Sequence, residues 1–187
     1  MQEQKKSTFE YLLYYGALLG MFWIFQYLFL IGRAYWEHFI YFYNLLNIVS
    51  PLLMYVFYMK YKAQTPEVKH NVKRCVLFVV GICFFGSFFE AAIRYAHYAF
   101  IDPSFFADLS GHFGAAIAKS SEKMFEDSSI FSKMTSEDIA MQKQMTESMV
   151  TSKAFFIIGF MLNQIFYGFI FSFLIALLTR NRDYKTN

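Results

Sequence analysis

Four long apolar runs leave this chain few architectures. Residues 11–31 and 39–59 hold 21 residues each without a formal charge, and 154–179 holds 26. Residues 75–100 hold another 26, with Glu90 and Arg94 late in the run. A helix needs about 20 mainly apolar residues to cross a bilayer, so each run is long enough. Together they take up half of the 187 residues, and what is left is too short to bury four such helices in a soluble core. Charged residues are only 17% of the chain, against roughly 25% in typical soluble domains. A soluble enzyme and a nucleic-acid binder are excluded on these grounds, and a net charge of +3 is too small to indicate a polyanion partner. The expected fold is all-α. It is an integral membrane four-helix bundle forming one domain over 1–187, with an extracytoplasmic helical hairpin at 101–153 between spans three and four.

Lys5 and Lys6 precede the first run. That run is long for a signal-peptide core and no small-residue cleavage site follows it, so an uncleaved signal anchor is expected. Lys and Arg near the span ends set orientation. Lys5, Lys6, Lys60, Lys62, Lys69, Lys73, Arg74, Arg180, Arg182 and Lys185 fall on one side. The other side has Arg33 and five lysines spread over 101–153. Both termini are therefore expected in the cytoplasm, with Tyr35 and Trp36 in the outer aromatic belt. Cys75 and Cys83, eight residues apart on one helix, would stand about 12 Å apart along its axis and cannot pair.

Residues 101–153 carry eight acids against five lysines. Asp102 is placed to cap a helix with Pro103 at its first position. Phe106, Leu109, Phe113 and Ile117 then recur at helical spacing. A second start follows at Thr135, and Met141, Met145 and Met149 make a stripe at i, i+4, i+8. Three uses of these faces stay open. They pack on each other as a cap, they offer a partner surface suited to adaptable Met side chains, or they lie in the membrane interface.

The order of elements resembles the bacterial membrane family named domain of unknown function 4199, seen mainly in Bacteroidota. The resemblance rests on the third span closing in Ile101-Asp102-Pro103-Ser104-Phe105 and on the acidic, Met- and Gln-containing stretch from Thr135 to Met149. It rests also on a Gly-containing, Phe/Ile-rich last span closing on Arg180-Asn181-Arg182. It implies a small four-span inner-membrane protein and assigns no catalytic residue.

Ionisable groups inside a membrane are functional-site hypotheses by default. Glu90 and Arg94 are spaced i, i+4 and His97 follows three later, so Cys83, Ser87, Glu90, Arg94, His97 and Ile101 form one stripe. Gln26, Asn44, Asn47, Asn163 and Gln164 fall at the same depth, within about 15 Å of the outer end of a core roughly 30 Å thick. Pro51 frees the Asn47 carbonyl, which needs a new partner at that depth. The four helices are expected to converge here. The patch is either a structural network or an outward-facing site for a small polar or lipid-like ligand, with Arg94 as the anion contact. A proton path is disfavoured, because the inner halves have few polar groups. Gly16 and Gly20, and Gly168 with Ser172, are spaced for close helix packing, with spans one and four as the expected pair.

His38, His97 and His112 have no metal spacing, and no nucleophile stands beside a base. The expectation is therefore a non-enzymatic accessory or scaffold subunit without cofactor or metal. It presents the outer loop to a protein partner and is surrounded by lipid, with self-association allowed. The alternative is a small-molecule or lipid binding or transport protein using the polar patch.

Overall fold

Ser7 opens the first helix with a reciprocal cap. Its hydroxyl accepts from the Glu10 amide at 3.2 Å, and its own amide donates to the Glu10 carboxylate at 2.6 Å. Two amides left over at a helix start are thereby satisfied. The structure is a computed structural model that describes residues 7–33, 35–111, 141 and 152–179. The described residues are helical with short connections: α1 (Thr8–Gly32), α2 (Phe39–Gln64), α3 (Val72–Ala96), a π-helical turn (His97–Ile101), α4 (103–111) and α5 (Lys153–Thr179). Among the described residues, four stretches are long and apolar enough to cross a membrane: α1, α2, Val72–Ile101 and α5. The protein is a helical membrane protein.

The helices overrun their apolar runs. Backbone hydrogen bonding does not stop where hydropathy stops, so α2 carries on through Lys60 and Lys62 to Gln64. It ends at Thr65-Pro66, where the proline disfavours helix in the residue before it. The Thr65 hydroxyl donates to the Tyr61 carbonyl at 2.7 Å, satisfying one orphan of that terminus. Asn71 restarts the chain as a helix: its Oδ1 accepts from the Arg74 amide at 2.9 Å.

The chain divides into two compact units, residues 1–92 with 160–187, and residues 93–159. In the first unit all four long helices share one core. Leu19 and Trp23 of α1, Met54 and Tyr58 of α2, Phe78 and Ile82 of α3, and Ile175 of α5 are all buried. Glycines decide how closely these helices approach. A Cβ on Gly20 would stand 2.9 Å from the Gly86 carbonyl oxygen, and one on Gly16 2.5 Å from the Phe85 Cβ. A Cβ on Gly168 would run into the Cys83 sulfur, and the Cys75 thiol donates to the Ser172 carbonyl at 3.7 Å. The expected pairing of spans one and four through these residues is thus corrected. Both sets face α3, which supplies the third small residue, Gly86. Cys75 and Cys83 are free and buried.

In the second unit the end of the third span leaves the α geometry. The Asp102 amide reaches back to the His97 carbonyl at 2.9 Å, closing an i→i+5 turn. The wider turn inserts a residue into the helical count. His97 and Tyr98 stay buried while Ile101 is 73% exposed, so Ile101 leaves the stripe on which even spacing placed it. Asp102 then caps α4: its Oδ1 accepts from the Phe105 amide at 3.0 Å, and Pro103 is the first helical residue.

Candidate functional site

The polar residues of the first unit fall into an inward and an outward group. Gln26 is buried, and its Nε2 donates to the Tyr43 carbonyl at 3.3 Å. Asn47 Nδ2 donates to the same carbonyl at 3.2 Å. One turn away the Trp23 indole donates to the Ser50 hydroxyl at 3.1 Å. Pro51 lies inside α2, and the Asn47 carbonyl it leaves without a helical amide accepts from the Tyr167 hydroxyl of α5 at 3.2 Å. Proline chemistry demanded a partner there, and a side chain 120 residues further along supplies it. Glu90 is 1% exposed and engaged in an interaction of its own.

Asn44 and Asn163 do not join this network. Both are exposed, and Gln164 is only half-buried. Counting residues along a span gives depth, but facing depends on helical phase, at about 100° per residue. Asn44 stands beside the exposed stripe of Tyr41, Leu45 and Ile48, and Asn163 beside that of Leu162 and Phe166. The expected convergence of all four helices' amides is corrected at these two positions. Neither amide has a hydrogen-bond partner among the described residues.

In the second unit Arg94 and His97 are buried, and Arg94 Nη1 donates to the Tyr98 hydroxyl at 3.5 Å. Tyr98 is the centre of an aromatic group. Its ring stacks on Phe105 at 6.1 Å, and Phe106 meets Phe156 edge-on at 5.6 Å. Phe106 is only 5% exposed and Leu109 is half-buried. The expectation that Phe106 forms part of a partner surface is therefore corrected: the apolar face of α4 turns inward onto Tyr98. Met141 is helical and 72% exposed. Phe113, Ile117, Met145, Met149 and the helix start at Thr135 lie outside the described residues. Hydrogen bonds from the Ser104 hydroxyl and the Phe105 amide hold the Asp102 carboxyl below the ordinary carboxylate range. Among the described residues no three side chains of His, Cys, Asp or Glu come together as a metal site would need.

Residues 14–181 match the model of the family described as "Protein of unknown function (DUF4199)". The chain belongs to this family. Searches of curated proteins and of solved structures find no match. The DUF4199 match takes in nearly all of the spanning helices and the connection between α2 and α3, where sequence reading saw only topology markers. Arg74 Nε donates to the Tyr61 hydroxyl and Nη2 to the Thr8 hydroxyl, each at 3.2 Å. Lys62 Nζ donates to the Thr179 carbonyl at 3.5 Å, placing a cation on the negative end of α5. The start of α1, the end of α2, the start of α3 and the end of α5 thus meet at one basic end of this unit. Spacing along the chain gives no sign of that, because all three contacts are long-range or pass through the 65–71 turn.

Proposed function

We propose that the protein is a non-enzymatic subunit of a bacterial cytoplasmic membrane, an accessory or scaffold that assembles with another membrane protein or with itself. The observation that supports this most is the pair of amides on the outer faces of α2 and α5. Asn163 lies ten residues into α5, about 15 Å along its axis. An amide facing hydrocarbon without a partner is costly, and amides on spanning helices bond across helix–helix contacts. Asn44 and Asn163 are read as contacts to a neighbouring chain, while Gln26 and Asn47 are spent inside. The excess of Lys and Arg at the basic end favours cytoplasmic termini, which puts 101–153 outside.

The test is to isolate the tagged protein in mild detergent, separate complexes on native gels, and repeat with Asn44→Leu/Asn163→Leu. Loss of the higher assembly with an unchanged melting temperature is the expected result. An assembly that survives both this variant and deletion of 104–150 refutes the reading. A second reading, a small-molecule or lipid site in the membrane, rests on buried Glu90, since a carboxylate in a spanning helix is costly to keep. Binding of a co-purifying metabolite that Glu90→Gln abolishes without unfolding would favour it.

A further inference from the structure

The basic end of the first unit contains a cleft that this reading does not use. It is open, about 390 Å³ in volume, and lies between the start of α1, the end of α2 and the first turns of α3. One side is cationic, with Lys69, Lys73 and Arg74. Lys69 and Lys73 are exposed and make no hydrogen bond or ion pair among the described residues. Arg74 donates to the Tyr61 and Thr8 hydroxyls, and no carboxylate pairs with it among the described residues. The other side is apolar, formed by Leu12, Leu77 and Phe78. Leu77 is 60% exposed, so this wall runs onto a face that a spanning helix shows to lipid.

Three cations with no carboxylate partner among the described residues, beside the exposed Leu77, suit an anion that carries a tail. Phosphate oxygens match both the guanidinium fork and the ammonium point charges. Basic residues at a membrane boundary draw anionic lipid. We propose that the cleft is a headgroup site for an anionic phospholipid, with its phosphate held by Lys69, Lys73 and Arg74 and an acyl chain along Leu12 and Leu77. A soluble phosphate ester shares the first half of this chemistry, but only a lipid uses the second.

The test titrates the full-length protein in detergent with phosphatidylglycerol and, separately, phosphatidylcholine, reading bound lipid by native mass spectrometry. Phosphatidylglycerol is expected to be retained over phosphatidylcholine. Lys73→Gln should weaken its binding roughly fivefold, and Lys69→Gln/Lys73→Gln roughly 30-fold, at the usual contribution of a basic residue near an anionic surface. Both lysines are exposed, so the variants should melt as the wild type does. Lys60→Gln removes an exposed charge outside the cleft and should change binding less than twofold by the same reasoning. Equal retention of the two lipids overturns the proposal, as does an equal effect of Lys60→Gln and Lys73→Gln. Displacement of phosphatidylglycerol by an equal concentration of glycerol 3-phosphate also overturns it, and assigns the cations to a soluble ester instead.

Discussion

Replacing Gly16 by alanine should separate α1 from α3. The added Cβ would stand 2.5 Å from the Phe85 Cβ and 3.2 Å from the Ile82 carbonyl oxygen. Carbon atoms prefer roughly 3.5 to 4.0 Å, so the two helices must part by about 1 Å at this point. Both obstructing atoms are fixed to the α3 backbone, and no rotamer change relieves the contact. Overpacking of this kind costs about 1–3 kcal/mol, while alanine returns roughly 1 kcal/mol of helix propensity. The proper comparison is therefore Gly159→Ala, which gains the same propensity at a helical position with no described atom within 4 Å of the new methyl. The difference between the two variants isolates the close approach, at about 1–3 kcal/mol. Unfolding in mixed micelles titrated with sodium dodecyl sulfate would measure it. If Gly16→Ala proves as stable as Gly159→Ala, α1 and α3 do not meet through these glycines and the packing described for this unit is wrong.

Three further predictions concern single contacts. Tyr167→Phe should destabilise the protein by about 1 kcal/mol by stranding the Asn47 carbonyl. Pro51→Ala restores the helical amide, so the same substitution in that background should cost nearly nothing, and additive effects in the cycle would refute the link. Ser50→Ala should cost about 1–3 kcal/mol by leaving the buried Trp23 indole unsatisfied, and Trp23→Phe in the same chain should recover the hydrogen-bond part of it in a thermal melt. His70 should make stability fall in acid. Burial lowers its pKa from 6.5 first of all, with Lys62 and Arg74 adding to the effect and the Thr65 carbonyl and Glu67 opposing it. Its Nε2 faces the Thr65 carbonyl at 3.0 Å, and its buried Nδ1 has no hydrogen-bond partner among the described residues. The folded state thus holds the neutral ring. Above 6.5 neither state binds the proton, and below it the unfolded chain does so first, so the melting temperature should drop as pH falls from that value toward the folded pKa. His70→Gln should remove this component of the pH dependence, and an unchanged profile would refute the assignment.

The four spans were legible because the bilayer leaves a chain little choice: only a continuous helix satisfies its own backbone through about 20 apolar residues. The stranded carbonyl of Asn47 was legible for a similar reason, since proline's missing amide is a covalent fact. Its partner was not, because nothing local marks Tyr167 among 14 tyrosines. The orientation of the amides was least legible. In a soluble helix a polar face and an apolar face differ in composition, and the contrast reveals which side is buried. In a spanning helix the lipid face is as apolar as the core face, so Asn44 and Asn47 look alike in sequence though one is exposed and the other is bonded to Tyr43.

The basic end escapes a sequence reading for a different reason, which is register. The charge of Lys69, Lys73 and Arg74 suffices to orient a chain in a membrane. A binding site needs their charges to lie beside something else, and that depends on backbone geometry. Here the turn is set by Thr65-Pro66 at one end and the Asn71 cap at the other. Arg74 then reaches Tyr61 across the turn and Thr8 on α1, 66 positions away. Moving the Asn71 cap by one residue would rotate Lys73 and Arg74 by about 100° around α3. The count of positive charges, and with it the topology read from sequence, would be unchanged, but the cleft would be gone. Orientation is thus a property of composition and survives such a shift, whereas the headgroup site is a property of register and does not.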